Sequence, residues 1–150
     1  MDQINEFDWQ VRRQVYEVTM QRGYPPTVAE IVSALNLPKT AVQAALLSLA
    51  TGRVLVLQPG SGEVLMANPF SAVPTPFLVE LSTFTCFGNC IWDALGIAAM
   101  LKQDALIKTT CGDCGTALEL SIIEGELQGD PSVVHFAIPA HRWWDDIVFN

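Results

Sequence analysis

Hydrophobic positions in the first half of the chain recur at helical spacing three times and then switch to a strand-like run. Phe7, Val11, Val15 and Val18 form the first stripe, ended by Gly23 and the Pro25-Pro26 pair. Thr27 is placed to cap a second helix, with Glu30 three residues later as its capping-box partner. That helix would bury Ile31, Val32 and Leu35 and stop at Pro38. A third helix, opened by Lys39 or Thr40, turns Val42, Ala45, Leu46 and Leu49 inward. Val54–Leu57 and Val64–Met66 then read as two strands around the turn Pro59-Gly-Ser-Gly62.

Three helices followed by a two-stranded hairpin match the order of a winged-helix module over residues 1–70. The stretch from Asn68 to Pro76 carries three prolines and is expected to be an extended linker. Residues 71–150 predict an α+β unit that holds every cysteine. In it, Phe77–Thr85 is an apolar segment, and Ile91–Leu101 is a helix with Ile91, Leu95, Ala98 and Leu101 on its apolar face. Ala105–Thr110 and Thr116–Ile123 are strands flanking the tight turn Cys111-Gly-Asp-Cys-Gly115. Val133–Ile138 reads as a further strand and Ala140–Ile147 as a short terminal helix.

Composition narrows the function. Half of the 150 residues are hydrophobic and 16% are charged, which excludes a disordered chain. The formal net charge is −8, unevenly spread. Residues 1–70 hold five Lys and Arg against six acids, whereas residues 71–150 hold three against ten. An acidic surface repels phosphate backbones and anionic lipid, so nucleic acid and membrane are poor partners on this balance. The third helix agrees, because Lys39, Thr40, Gln43 and Ser48 include a single cation, followed by Arg53 in the hairpin. No apolar run is long enough for a bilayer span. Asp2, Glu6 and Asp8 stand where a signal peptide would be positive, so a cytoplasmic chain is expected. Oligomeric state is not encoded in any pattern.

The chemistry is concentrated in the cysteines. Cys86, Cys90, Cys111 and Cys114 follow the spacing C-x3-C-x20-C-x2-C, a cluster that points to metal, thiol or redox work rather than to a disulfide framework. Asn89 or Cys90 falls at the start of the Ile91 helix, where free backbone N–H groups and the helix dipole are expected to lower the Cys90 pKa. Asp93 shares the helix face with Cys90. A thiolate beside a carboxylate can bind a soft electrophile and move a proton, although an acid in a first helical turn also serves simply to complement the dipole. Read as ligands, the four sulfurs could instead hold structural zinc, with Cys111–Cys114 as one knuckle. His135 fits a hydrogen-bonded core or near-site position better than a metal ligand, and His141, Trp143, Trp144, Asp145 and Asp146 fit either a pocket mouth or an amphipathic terminus. There is no Gly-rich phosphate loop or Ser-His-Asp order.

At these residues the sequence resembles the alkylmercury (organomercurial) lyase family. Cys90-Ile-Trp-Asp93 followed by Ala-Leu is similar to the family's Cys-x-x-Asp segment. Ile107–Cys111 resembles the strand ending in its more structural cysteine. Val134-His-Phe136, Ile138-Pro139 and Trp143 or Trp144 resemble its Val-His-Phe strand and the segment after it. The resemblance implies thiolate capture of a small organometallic ligand at Cys90 and participation of Asp93 in protonating the carbon, with Hg(II) as bound product and no required cofactor. The family's second catalytic cysteine would precede the Val-His-Phe strand, where this chain reads Asp130-Pro-Ser-Val133, and the chain ends sooner. Cys86, Cys111 and Cys114 are therefore the candidates for a second thiolate. The alternatives are a non-catalytic four-cysteine protein holding zinc or another soft metal, and a winged-helix metal-responsive regulator.

Overall fold

Two hydrophobic clusters, one on each side of residues 67–70, organise the chain in the computed structural model, which describes residues 4–129 and 132–148. The fold is α+β. Its first part runs α1 (Glu6–Arg22), α2 (Val28–Leu35) and α3 (Lys39–Thr51), then β1 (Val56–Leu57), β2 (Val64–Ala67) and β3 (Phe70–Ser71). Both of the first two helices start with a capping box: Asn5 with Asp8, and Thr27 with Glu30. Asp8 is buried, and its carboxylate also accepts from Ser48 Oγ at 2.8 Å, which ties α1 to α3. Val11 and Val15, Ile31, and Val42, Ala45, Leu46 and Leu49 pack together as the spacing predicts, whereas Val18 is only half-buried and Thr19 takes the inward position.

The second part is a five-stranded antiparallel sheet with one helix against it. The elements are β4 (Leu78–Leu81), β5 (Thr85–Phe87), α4 (Ile91–Leu101), β6 (Ala105–Thr110), β7 (Ala117–Ile123) and β8 (Glu126–Gln128), in the spatial order β5-β4-β6-β7-β8. The apolar segment Phe77–Thr85 is thus a strand and the turn into its hairpin partner. The helix bounds agree with the expectation, but the fully buried face is Ala94, Ile97 and Ala98, with Ile91, Leu95 and Leu101 at its margins. Small residues let α4 lie close to Val79 and Ile107 of the sheet.

The proline-rich seam, expected as an extended linker, is paired to both parts of the fold. Phe70 is fully buried and belongs to the second cluster, while β3 pairs with β2 of the first part. Phe70 also bridges to Gly88, and Thr75 Oγ1 donates to the Gly88 carbonyl at 2.6 Å. The prolines flank the paired residues rather than interrupting them, so the ladder loses no donor.

The end of the chain departs most from expectation. Ser132–Ile138 forms no strand, and Val133 is 92% exposed. β-branched residues favour a strand only when a neighbouring edge supplies hydrogen bonds and a face to bury, and among the described residues no strand pairs with Val133–His135. His135 is exposed rather than a core residue. The terminal helix is a shorter 3-10 helix, Ala140–Asp145. Trp143 anchors it, with Nε1 donating to the Ile138 carbonyl at 2.8 Å and its ring 5.1 Å from that of Phe136. The Arg53 guanidinium lies 5.5 Å from the Trp144 ring centre, which engages the hairpin cation with an aromatic side chain.

Candidate functional site

Cys90 is the N-cap of α4, in extended backbone conformation, and Asp93 lies in the first turn. The local reason is the Gly88-Asn89 turn. A Cβ at Gly88 would sit 2.7 Å from the Ala94 amide nitrogen, so only glycine lets β5 hand the chain so tightly into the helix. Asn89 then clamps the start of α4. Its Nδ2 donates to Asp93 Oδ2 at 2.9 Å, to Asn68 Oδ1 at 3.1 Å and to the Pro69 carbonyl at 3.2 Å. Two hydrogens serve three acceptors, and Asn89 Oδ1 is buried with no partner among the described residues. Turning the amide over would not help, because every neighbour that Nδ2 meets is itself an acceptor.

The first part of the fold reaches this site. Tyr16 of α1 donates its hydroxyl to the Asn68 carbonyl at 2.8 Å, and the Arg12 guanidinium lies 4.5 Å from the Tyr16 ring centre. Burial raises the Tyr16 pKa, Arg12 opposes that rise, and the Asp93 charge adds to it. Sequence reading missed Tyr16, Asn68 and Gly88 because nothing local marks them. From the sequence, Asn89 reads only as a helix cap.

The electrostatics of Cys90 reverse the expectation. Its pKa is raised, first by burial, against which the Asp93 amide pulls down, the Asp93 carboxylate pushes up, and the Trp92 amide pulls down again. Neither amide completes a capping hydrogen bond to the sulfur, so desolvation wins over the helix terminus. Asp93 is also raised, by burial, with the Asn89 side chain and amide lowering it only in part. The pair thus favours a protonated thiol and a carboxyl that holds a proton more readily than usual.

The other sulfurs do not join them in one ligand set. Among the described residues no group of three or more His, Cys, Asp and Glu side chains is arranged to hold a metal ion. Cys86 faces the core on β5, 1% exposed, and burial pushes its thiol up to about 12. Period-two alternation from its pairing with Val79 puts it there, so it is a packing residue rather than an open ligand. Cys111 and Cys114 bracket the β6–β7 turn. Exposed Cys114 is brought down to about 7 by the Thr116 hydroxyl, then the Thr116 amide, then the Cys111 thiol.

Beside Trp92, which is 62% exposed, a cavity of about 410 Å³ is lined by Phe136, Ile138, Pro139 and Trp143. His141, Asp145 and Asp146 do not line it.

A half-buried thiol and a half-buried carboxyl thus stand at one helix start, the carboxyl clamped by an amide. The alkylmercury lyase family profile matches residues 70–149, the segment that contains this site, and the chain belongs to that family. Among solved structures, the mercury-bound form of MerB2 superposes with a TM-score of 0.62 at 20% identity, covering 83% of this chain and 59% of that one. The chain thus spans about three-fifths of that relative's length, and at this identity the likeness speaks for the fold. No curated protein matches the chain.

Proposed function

We propose that the protein cleaves a carbon–mercury bond by protonolysis, with Cys90 as the capturing thiol and Asp93 as the proton carrier. The observation that carries this reading is the Cys90–Asp93 pair at the start of α4, with Asn89 Nδ2 held 2.9 Å from Asp93 Oδ2. Hg(II) is soft and prefers sulfur to oxygen or nitrogen. When R–Hg⁺ meets the Cys90 thiol, an S–Hg bond forms and the thiol proton passes to the Asp93 carboxylate. Asp93 then protonates the carbon, the C–Hg bond breaks to give R–H, and Hg(II) stays on sulfur. The raised Asp93 pKa suits a group that must take a proton and give it up again. The apolar cavity beside Trp92 is suited to the organic group.

The neighbourhood of Asp130–Val133 offers no thiol, so the second sulfur that weakens the C–Hg bond comes from elsewhere. An added small thiol can serve. The test is alkane or arene release, by gas chromatography, from methylmercury or phenylmercury with the full chain and excess monothiol. Cys90→Ser and Asp93→Ala are each expected to abolish release while the circular dichroism spectrum is unchanged. Release at the unmodified rate in both variants sinks the reading.

A further inference from the structure

Cys111 and Cys114 stand on the β6–β7 hairpin, outside the pair used above. The turn is closed by hydrogen bonds from the Cys111 amide to the Thr116 carbonyl, 2.8 Å, and from the Gly115 amide to the Cys111 carbonyl, 2.9 Å. Gly115 supplies the left-handed residue the turn needs, at φ 71°. Cys114 Sγ lies 3.1 Å from Thr116 Oγ1, and Cys111 is half-buried while Cys114 is open. Nothing lies within 4 Å of a Cβ built at Gly112 or Gly115, so the turn is open to an approaching ion.

Strand order places this turn near the first site. Leu78 of β4 is paired with Phe87 on one side and with Lys108 on the other. β5 and β6 therefore run in the same direction, and each delivers its cysteine three residues beyond that row, Cys90 after Phe87 and Cys111 after Lys108. Only β4 separates the two strands, a spacing of about 10 Å at their paired residues. Both thiol groups leave the same end of the sheet.

We propose that Cys111 and Cys114 form a second soft-metal site that chelates a two-coordinate thiophilic cation, Hg(II) in particular. Zinc asks for four ligands, and the described residues gather no third Cys, His or carboxylate with these two. Two sulfurs alone suit an ion content with two, and the acidic balance of residues 71–150, with Asp113 between the two cysteines in sequence, attracts cations. Loading is a ligand exchange. Two S–Hg bonds form, two thiol protons leave with the ion's former ligands, and neither sulfur nor mercury changes oxidation state. That the ion arrives from Cys90 rests on the lyase reading; the chelate itself does not.

The test uses the full chain, reduced and desalted without oxygen, with HgCl2 as probe and glutathione as competitor. Bound mercury and the ultraviolet sulfur–mercury absorption are read together. In a Cys90→Ser background one Hg(II) per chain is expected to resist glutathione. Adding Cys111→Ser or Cys114→Ser should weaken that retention about tenfold or more, because a two-point attachment becomes a single one. Circular dichroism checks that these exposed-turn variants fold. Equal retention after either substitution, or retention of Zn(II) against the same competitor, overturns the proposal. A second arm loads the otherwise unmodified protein with methylmercury. Mercury on Cys111 and Cys114 after alkane release gives Cys90 as the source. HgCl2 loading with no alkane release leaves the chelate standing and removes the lyase reading instead.

Discussion

Replacing Asn89 by alanine removes one amide from the centre of the site, and its cost should depend on pH. Nδ2 donates to Asp93 Oδ2 at 2.9 Å and shares its other hydrogen between Asn68 Oδ1 and the Pro69 carbonyl. A hydrogen bond to a charged acceptor contributes about 1.5–3 kcal/mol and one to a neutral acceptor about 0.5–1.5. The shared hydrogen therefore accounts for about 1 kcal/mol at any pH, partly offset because the unpartnered Asn89 Oδ1 also disappears. The bond to Asp93 adds about 1 kcal/mol more when the carboxylate is ionised than when it is protonated. Asp93 has a folded pKa above its ordinary value, so the folded state binds the proton more tightly than the unfolded state. Stability from this group is present below the unfolded pKa and is lost as pH rises through the folded one. Removing Asn89 takes away the side-chain donor that lowers the Asp93 pKa, so that pKa rises further and the loss extends to higher pH. Urea unfolding from pH 3.5 to 8, with an NMR titration of the Asp93 carboxyl, measures both. A net loss near 1 kcal/mol in acid and about 2 kcal/mol at neutral pH is expected. Equal destabilisation at both ends, or an unmoved Asp93 titration, would refute the reasoning.

Gly88→Ala should lower stability by about 1–3 kcal/mol and disturb Cys90 and Asp93 together, because its Cβ would press on the Ala94 amide at 2.7 Å. Denaturant unfolding and the alkane-release assay read the two effects, and a variant unaffected in both contradicts the packing argument. Glu30, whose pKa is lowered to about 2 by Arg22, then by the Thr27 amide, contributes stability above its unfolded value of 4.5 that is lost as pH falls towards about 2. The pair is substantially exposed, so Glu30→Gln should cost only about 1 kcal/mol at neutral pH and nothing measurable near pH 2. A cost that persists in acid would show that the carboxylate charge is not the source.

The sequence by itself determined the elements whose signals are local. The capping pair Thr27–Glu30, the α4 bounds Ile91–Leu101 and the β6 bounds Ala105–Thr110 follow from side chains within a few residues of one another. The same holds for the neighbourhood of Cys90 and Asp93, which one helical turn makes adjacent. Tertiary structure decided everything that depends on what lies across the chain. Val133–Ile138 has the composition of a strand but joins no ladder among the described residues, and the proline-rich seam pairs because Phe70 has a core to enter. Spacing suggested that four sulfurs converge, yet strand alternation turns Cys86 into the core and leaves Cys111 and Cys114 on an open turn. The sign of the Cys90 shift was also set at this level. A helix terminus acts through bonded neighbours and can be read from sequence, but desolvation depends on which distant residues cover the sulfur, and here it is the larger effect.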